Sequence, residues 1–563
     1  MWSHFVIISL LTILSVTVAE VNFDQCLSDF RNQKFGHLEG GRDNQGNPVS
    51  NYSEATALTY FACLEFCGGD PEPYSWTVFS QQFSAWLLPW LALLSQLPLG
   101  ARDILDNLGS VVLTVGSPTL AAYSLAITVM NGRWIAQHLM GTRSHNIKTV
   151  VRVLSRLQQA PLEIKEGPEL ISMLKLRENN GWWNEMLENL SFMHTWSIAA
   201  ATSIAWVLIA YIFTVVDSFS PGDITQAVNA NGQGIGSQWL FLLALVVGWL
   251  QLSPKCDAKR TEQAFEKAND KLYTESSQSG HPPKKLCRNS SRHAFRLRQD
   301  VDNELRRDEY RAPPVYNYMR VLPWTQQVLK VSAAYRTLEA RRVAASAEED
   351  PLIEGFASHP MIPDVVGLWD SGVLSRITVA SAFSLILQWG TTGAALVVTM
   401  FTPTKGLGCR SVSFLAYAVT STIIWAFLLL SSFLSHSVLQ MYTSTKSISR
   451  RQQIERSLLK WFSILLRRLS KLLCICNSIW IVLFCCFQFT NFYDRCWCNS
   501  SVIGLGAANA YNVMDFTDQD KKLMRQAWIG GVVLGVGSAG IYATFITLQL
   551  NPPMPSDRKS EED

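Results

Sequence analysis

Six runs of the chain, Thr195–Val216, Gly232–Leu252, Leu374–Phe401, Val412–His436, Leu472–Thr490 and Ala527–Leu548, are long, apolar and free of charge through their cores. Each approaches or exceeds the ~20 residues needed to cross about 30 Å of hydrocarbon. With 48% apolar and 17% charged residues, the chain fits membrane segments alternating with polar loops better than a series of soluble cores. The expected fold class is therefore all-α, a polytopic helical membrane protein. A formal charge of +3 over 563 residues is too small to suggest nucleic-acid binding, so no nucleic-acid partner is expected.

Orientation is read from Lys and Arg in the loops. Ser253–Gly372 carries 19 of them and Met441–Lys471 carries 8, whereas Asp217–Asn231 has none and Thr402–Ser411 only Lys405 and Arg410. The first two loops are assigned to the cytoplasm, and Asp217–Asn231, Thr402–Ser411 and Asn491–Gln526 to the outside. Asn131–His194, with 8 basic residues, is then also cytoplasmic.

The N-terminus, Met1–Ala19, resembles a secretory signal peptide, with an uncleaved anchor as the other reading. Residues 20–82 then form a luminal or extracellular head. An odd number of crossings must lie between the head and Asn131, yet two apolar runs occupy that interval. "SQQFSAWLLPWLALLSQLPLG" (Ser80–Gly100) has an uncharged core of only 15 residues, Ala85–Leu99, and Gly109–Met130 is longer but broken at Gly116-Ser-Pro118. Length favours 109–130 as the crossing and 84–99 as a re-entrant or interfacial segment. Trp86 and Trp90, spaced i, i+4, suit a helix lying in the interface. The expectation is about seven crossings plus one such segment. Eight crossings with an untranslocated N-terminus is the alternative.

The expected domains are the signal peptide 1–19, the head 20–82, a first membrane region 83–252 with cytoplasmic loop 131–194, and a basic cytoplasmic loop 253–373. A second membrane region, 374–548 with basic loop 441–471, and a tail 549–563 follow. In the loop 253–373, helices are expected near Asp257–Glu275, Ser290–Arg311 and Thr325–Glu348, and its mixed charges suit a cytoplasmic protein partner.

This topology sorts the twelve cysteines. Cys26, Cys63, Cys67, Cys409, Cys496 and Cys498 fall outside, where disulfides persist, and are the disulfide candidates, with 15 possible pairings. Asn51 and Asn499 head external sequons and are glycosylation candidates. Cys474 and Cys476, beside Lys471, are juxtamembrane palmitoylation candidates.

No Walker A loop, H-E-x-x-H, G-x-S-x-G or strand-following G-x-G-x-x-G occurs, so no catalytic residue, metal ligand or cofactor is assigned. The span cores lack Asp, Glu, Lys and Arg, which disfavours ion-coupled transport. Ser117, Gln388, Thr391 and Thr392 are the candidate polar membrane site, with interhelical hydrogen bonding as their commoner use. Gly531-x-x-x-Gly535 in the last span suits close helix packing, within the chain or as a homo-oligomer seam. "KSISRRQQIERSLLKWFSILLRRLSK" mixes basic and large apolar residues, as a segment on an anionic leaflet would, or simply extends the next span.

The stretches "QQFSAWLLPWLALLSQLP", "LTVGSPTLAAYSL", "LQWGTTGAALVVTMFTPTKGLGCRS" and "CNSSVIGLG" resemble a family of filamentous-fungal multi-pass membrane proteins with a secreted, Cys-containing head. The resemblance implies a fungal source and a shared architecture, and carries no activity. Two functional classes are left: a sensor, receptor-like or scaffold protein, and a facilitator, channel or transporter not driven by an intramembrane ionisable residue. In both, the bilayer is the first partner, and a secretory-pathway membrane, the plasma membrane foremost, the expected location. A water-filled cavity lined by Gln388 and Ser117 would favour transport. Tight packing there, with a groove between head and outer loops, would favour sensing.

Overall fold

The computed structural model describes residues 21–35, 39–142, 144–192, 196–219, 232–274, 283–286, 293–298, 303–347, 367–444 and 450–555. The signal-like segment, Cys287 and the extreme C-terminus lie outside them. The helices used below are α1 Phe23–Arg31, α2 Tyr60–Phe66, α3 (residues 76–94), α4 Ile104–Gly116, α5 Pro118–His138, α6 Ile147–Arg156, α7 Pro168–Lys175, α8 Asn180–Asn189, α9 Ile198–Phe219, α10 Gly232–Leu252, α11 Ala258–Asn269, α12 Asn317–Ala347, α13 Val373–Phe401, α14 Cys409–Ser444, α15 Arg450–Phe489 and α16 Asp518–Leu550.

All six apolar runs become helices. Five of them, α10, α13, α14, α15 and α16, are long and apolar enough to cross a membrane. The first run, Thr195–Val216, becomes α9, whose Trp206, Ile209, Ile212 and Phe213 face outward. At the centre sits α5, apolar all round and buried from Leu120 to Val129, as a helix walled in by other helices must be. Small residues set the closest contacts. A Cβ on Gly390 of α13 would stand 2.2 Å from Ser538 of α16, and one on Gly531 would stand 2.8 Å from Val398. The Gly531–Gly535 motif is thus used inside the chain.

The two ambiguous runs differ from expectation. Residues 76–94 form one continuous helix, and a single π-turn at Phe83–Leu87 absorbs Pro89. The Leu88 N–H reaches back five residues to the Phe83 carbonyl, widening the turn into which the proline ring would otherwise collide. Trp86 and Trp90 do share a face, but it points into the protein: both are buried, Trp90 stacked on Trp239 at 6.1 Å. At its start α3 adjoins the head, where Asn491 donates to the Pro73 carbonyl. At its other end the Gly100 carbonyl accepts from the Ala258 N–H, and Arg102 pairs with Glu262. Residues 76–94 therefore run from one end of the bundle to the other.

Gly109–Met130, expected to be the crossing, is instead split between α4 and α5, whose axes meet at 106°. Both outer ends of this pair lie at the end of the bundle away from the head. Asp106 pairs with Arg311 there, and Asn131 accepts from Arg376. The bend itself sits deep inside, at Ser117.

At the head end, strands Gly41–Arg42, Ala57–Thr59 and Tyr511–Val513 form one antiparallel sheet. All six expected cysteines are paired, as Cys26–Cys67, Cys63–Cys496 and Cys409–Cys498. The head is thus bonded to the loop before α16 and, through that loop, to the start of α14. At the far end, the loops 131–194 and 253–373 share one core. Trp182 and Trp183 of α8 pack on Phe295, and strand Leu162–Ile164 pairs with Phe295–Leu297. The helix expected over Ser290–Arg311 is absent from the described part of that interval. Phe295 turns inward while Arg296 turns out to meet Glu163 at 2.7 Å, the alternation of a strand. α11 begins as expected but stops at Asn269, ahead of a strand at Tyr273–Thr274, and α12 covers the third expected helix but starts earlier, at Asn317. Arg320 of α12 donates to the Gln159 and Pro313 carbonyls at 2.9 and 2.7 Å, holding this domain to the turn beneath the bundle.

Two outcomes check this arrangement. A Cβ on Gly236 would lie 2.5 Å from the Trp86 ring, whereas one on Gly540 meets nothing within 4 Å. Gly236→Ala should therefore cost about 1–3 kcal/mol of stability by overpacking. Gly540→Ala should cost none, and thermal unfolding in detergent distinguishes them. In membranes, an Asp103→Cys variant should react with an impermeant maleimide from the same side as Lys284→Cys. Reaction from the opposite side would mean that residues 76–94 do not cross.

Candidate functional site

Two places merit the name: the bend at Ser117 and a cleft under the head. Gln388, Ser421 and Asn477 lie 13, 12 and 12 residues from the head-side ends of α13, α14 and α15 (401 − 388, 421 − 409, 489 − 477). At 1.5 Å per residue they share a level roughly 18–20 Å down. At that level α4 ends and leaves carbonyls without helical partners, which apolar surroundings do not tolerate. Neighbouring side chains serve them. Asn477 donates to the Gly116 carbonyl at 2.7 Å and the Tyr417 hydroxyl to Val115 at 2.5 Å, while Ser478 adds a bond at 2.7 Å to the Val112 carbonyl inside the helix. A Cβ on residue 116 would sit 2.3 Å from the Cys474 carbonyl, so only glycine fits.

Ser117 caps α5 by accepting from the Leu120 N–H, while its hydroxyl donates to the Ser421 carbonyl at 2.8 Å. Ser421 in turn reaches Gln388 at 3.3 Å, and Gln388 donates to Thr392 at 2.9 Å. The structure thus joins three of the four candidate polar residues in one network. Thr391 stays apart, donating to the Leu387 carbonyl of its own helix. All four are buried and hydrogen-bonded to protein. Their arrangement caps a broken helix and ties it to two spans.

The cleft lies between the head and the outer loops and encloses about 140 Å³. Five stretches of chain line it, residues 23–24, 72, 399–411, 494–501 and 512–516. Asp24 comes from the first turn of α1, and Glu72 from the strap between Cys67 and α3. Thr399 and Thr402 end α13, Arg410 begins α14, and Asp494 and Asn499 flank the paired cysteines after α15. Arg410 is fully engaged: it donates to Asp494 at 2.6 Å, Asn499 at 3.0 Å and Gln488 at 3.1 Å. No hydrogen bond engages the Asp24 or Glu72 carboxylates among the described residues, so two acceptor groups face the cleft. Partial burial pushes the Glu72 pKa up, and the nearby Asp494 and Asp24 charges push it further. Arg410 opposes them, and the result is about 7.

The other candidates fall as follows. Asn51 is exposed, whereas Asn499 lines the cleft and accepts from Arg410. Cys474 is buried against the Val112 and Leu113 carbonyls. Cys476, two residues and about 200° around the helix, is exposed. Cys63 and Cys67 are each bridged, to Cys496 and to Cys26. Sequence reasoning missed Asp24, Glu72, Arg410 and Asp494. The available signal was that Arg410 adjoins Cys409 and Asp494 lies two residues before Cys496. No known protein family, curated protein or solved structure matches the chain.

Glu72 gives a pH prediction. Because folding raises its pKa from 4.5 to about 7, the folded chain holds this proton more tightly than the unfolded one. The resulting stability is fully present below about pH 4.5 and is lost as the pH rises to about 7. Glu72→Gln keeps the neutral form at every pH. Its melting temperature should match wild type at pH 4.5 and exceed it at pH 7.5; equal values at both would remove Glu72 from the pH response.

Proposed function

We propose that this chain is a receptor-like or sensing membrane protein that takes a small polar ligand in the cleft beneath its disulfide-bonded head. One observation carries the reading. The polar residues at membrane depth are packed and mutually hydrogen-bonded, while a half-open polar cleft lies between head and outer loops. A ligand there would touch the head, α13 and α14 together, so binding in the cleft would bias the packing of helices that reach the far-end domain.

In this reading the chain crosses the membrane seven times, through α3, α9, α10, α13, α14, α15 and α16. The pair α4–α5 enters and leaves on one side. The charge asymmetry of the loops supports a head outside and a cytoplasmic C-terminus, in a secretory-pathway membrane such as the plasma membrane. Membership of the fungal family that the sequence resembles belongs to the same proposal. So does a cytoplasmic partner on the far-end domain. The bend at Ser117 keeps a second reading in view, a facilitator whose broken helix opens a path, as in discontinuous transporter helices.

Ligand screening by thermal shift, combined with proteoliposome flux, separates the two. A small polar compound should stabilise wild type and Gln388→Leu alike, and lose its effect in Thr402→Trp, which fills the cleft. Flux that disappears in Gln388→Leu, with no ligand acting through the cleft, would overturn the sensing reading in favour of the facilitator.

A further inference from the structure

The sequence left open whether the basic segment before the sixth apolar run is a separate element. It is the N-terminal half of α15, a single 40-residue helix. Two ion pairs fix its depth: Lys471 meets Asp308 at 2.5 Å, and Arg468 meets Glu304 at 3.0 Å, both acids belonging to the turn at the base of the bundle. Beyond Lys471, residues 472–489 are uncharged, and their length of about 27 Å matches the hydrocarbon thickness. Residues 450–470 therefore carry the helix about 31 Å past that layer. The end of α14 runs back beside them: Ser463 bonds Ser435 at 2.7 Å, and Arg456 donates to the Met441 carbonyl at 2.6 Å. The two helices form a stalk outside the lipid.

One side of this stalk is not dressed for water. Ile454, Leu458, Trp461, Phe462, Leu465 and Leu469 are all exposed, Trp461 by 71%. A contiguous apolar strip of this kind marks an interaction surface. Its spacing says which kind. Ile454, Leu458, Trp461 and Leu465 follow at intervals of four, three and four, the d-a-d-a register of a coiled-coil seam. Arg456, Ser463, Ser470 and Asn477, at successive f positions on the opposite side, are buried against the chain's own helices. Arg468 takes the next d position and pairs instead with Glu304 of its own chain. Beyond it the same register resumes in the membrane-length half with Leu472, Ile475 and Ile479, all exposed.

Charge identifies the occupant. Two copies inserted in one membrane point the same way, so their α15 helices meet in parallel and this face meets itself. In a parallel pair, a g residue of one helix lies beside the e residue five positions later in the other. Arg450 holds the g position and Glu455 that e position, and both are exposed. Each copy thus offers the other a cation and an anion at matching places. The homo-oligomer seam expected in the last span is already occupied, since Gly531 and Gly535 lie against Val398 and Ala394 of α13.

We propose that the exposed face of the α15 stalk is the interface with a second copy of this chain, joined as a parallel two-helix seam beyond the bilayer. Ile454, Leu458, Trp461 and Leu465 form its apolar centre, and two Arg450–Glu455 pairs close its outer end. This inference is independent of the cleft.

The test uses the full chain. Native mass spectrometry over a concentration series in detergent should find wild type as a dimer. Leu458→Glu/Trp461→Glu should weaken the dimer about thirtyfold or more while keeping a cooperative thermal unfolding, because both side chains lie on the surface of a single copy. Glu455→Arg sets cation against cation on both sides of the seam and should weaken it about fivefold. Arg450→Glu/Glu455→Arg should restore it. In membranes, oxidation should link Leu458→Cys copies into dimers and leave Lys460→Cys, at a c position off the seam, no more linked than wild type. A monomeric wild type, a dimer untouched by Leu458→Glu/Trp461→Glu, or a charge swap that fails to restore pairing would each overturn the proposal.

Discussion

The architecture depends on what happens to the backbone where α4 stops. A helix broken in apolar surroundings exposes carbonyls that no water can reach, and each must find a donor or destabilise the fold. Asn477 and Tyr417 supply donors to the Gly116 and Val115 carbonyls, while Ser117 caps the helix that follows. These side chains come from α14 and α15, so the bend can exist only where that helix pair stands. Gly116 allows the approach that makes the bonds short. The bend in turn sets the position of α5, around which α10, α13, α14 and α16 assemble.

At the head end, covalent bonds take the place that packing holds in the bundle. The head buries a small core around Phe30 and Cys63, which would be marginal for an independent domain. Its attachment is shared among a three-stranded sheet, the Cys63–Cys496 bridge and the Arg31–Asp515 ion pair. The cleft lies under this attachment because the strap carrying Glu72 must pass from Cys67 to α3 across the ends of α13 and α14.

Much of this was legible because it depends on local pattern. Apolar runs of helical length become helices whatever surrounds them, and cysteines on one side of the topology find one another. The two apolar runs near the N-terminus were not legible in the same way. Both contain a proline, and the outcome rests on distant residues. Pro89 costs one widened turn because α10 offers Gly236 and Trp239 as a close wall for Trp86 and Trp90. Pro118 follows a true bend because Asn477 and Tyr417 cap it. The spacing of Trp86 and Trp90 tells that they share a face, but not whether lipid or protein lies opposite. The cleft was illegible for a similar reason: five segments build it, and only Arg410 and Asp494, close to paired cysteines, carried a hint.

The α4–α5 bend also has a consequence in time. Its capping donors are far along the chain: Asn477 stands 361 residues beyond Gly116. At translation rates of about 5–20 residues per second, roughly 20–70 s pass between synthesis of the bend and synthesis of its caps. Until then the Gly116 carbonyl lacks the donor that Asn477 supplies in the folded chain. The head waits longer still, since Cys63 needs Cys496 and the strand Ala57–Thr59 needs Tyr511–Val513, so both early parts of the chain are completed only by its last third.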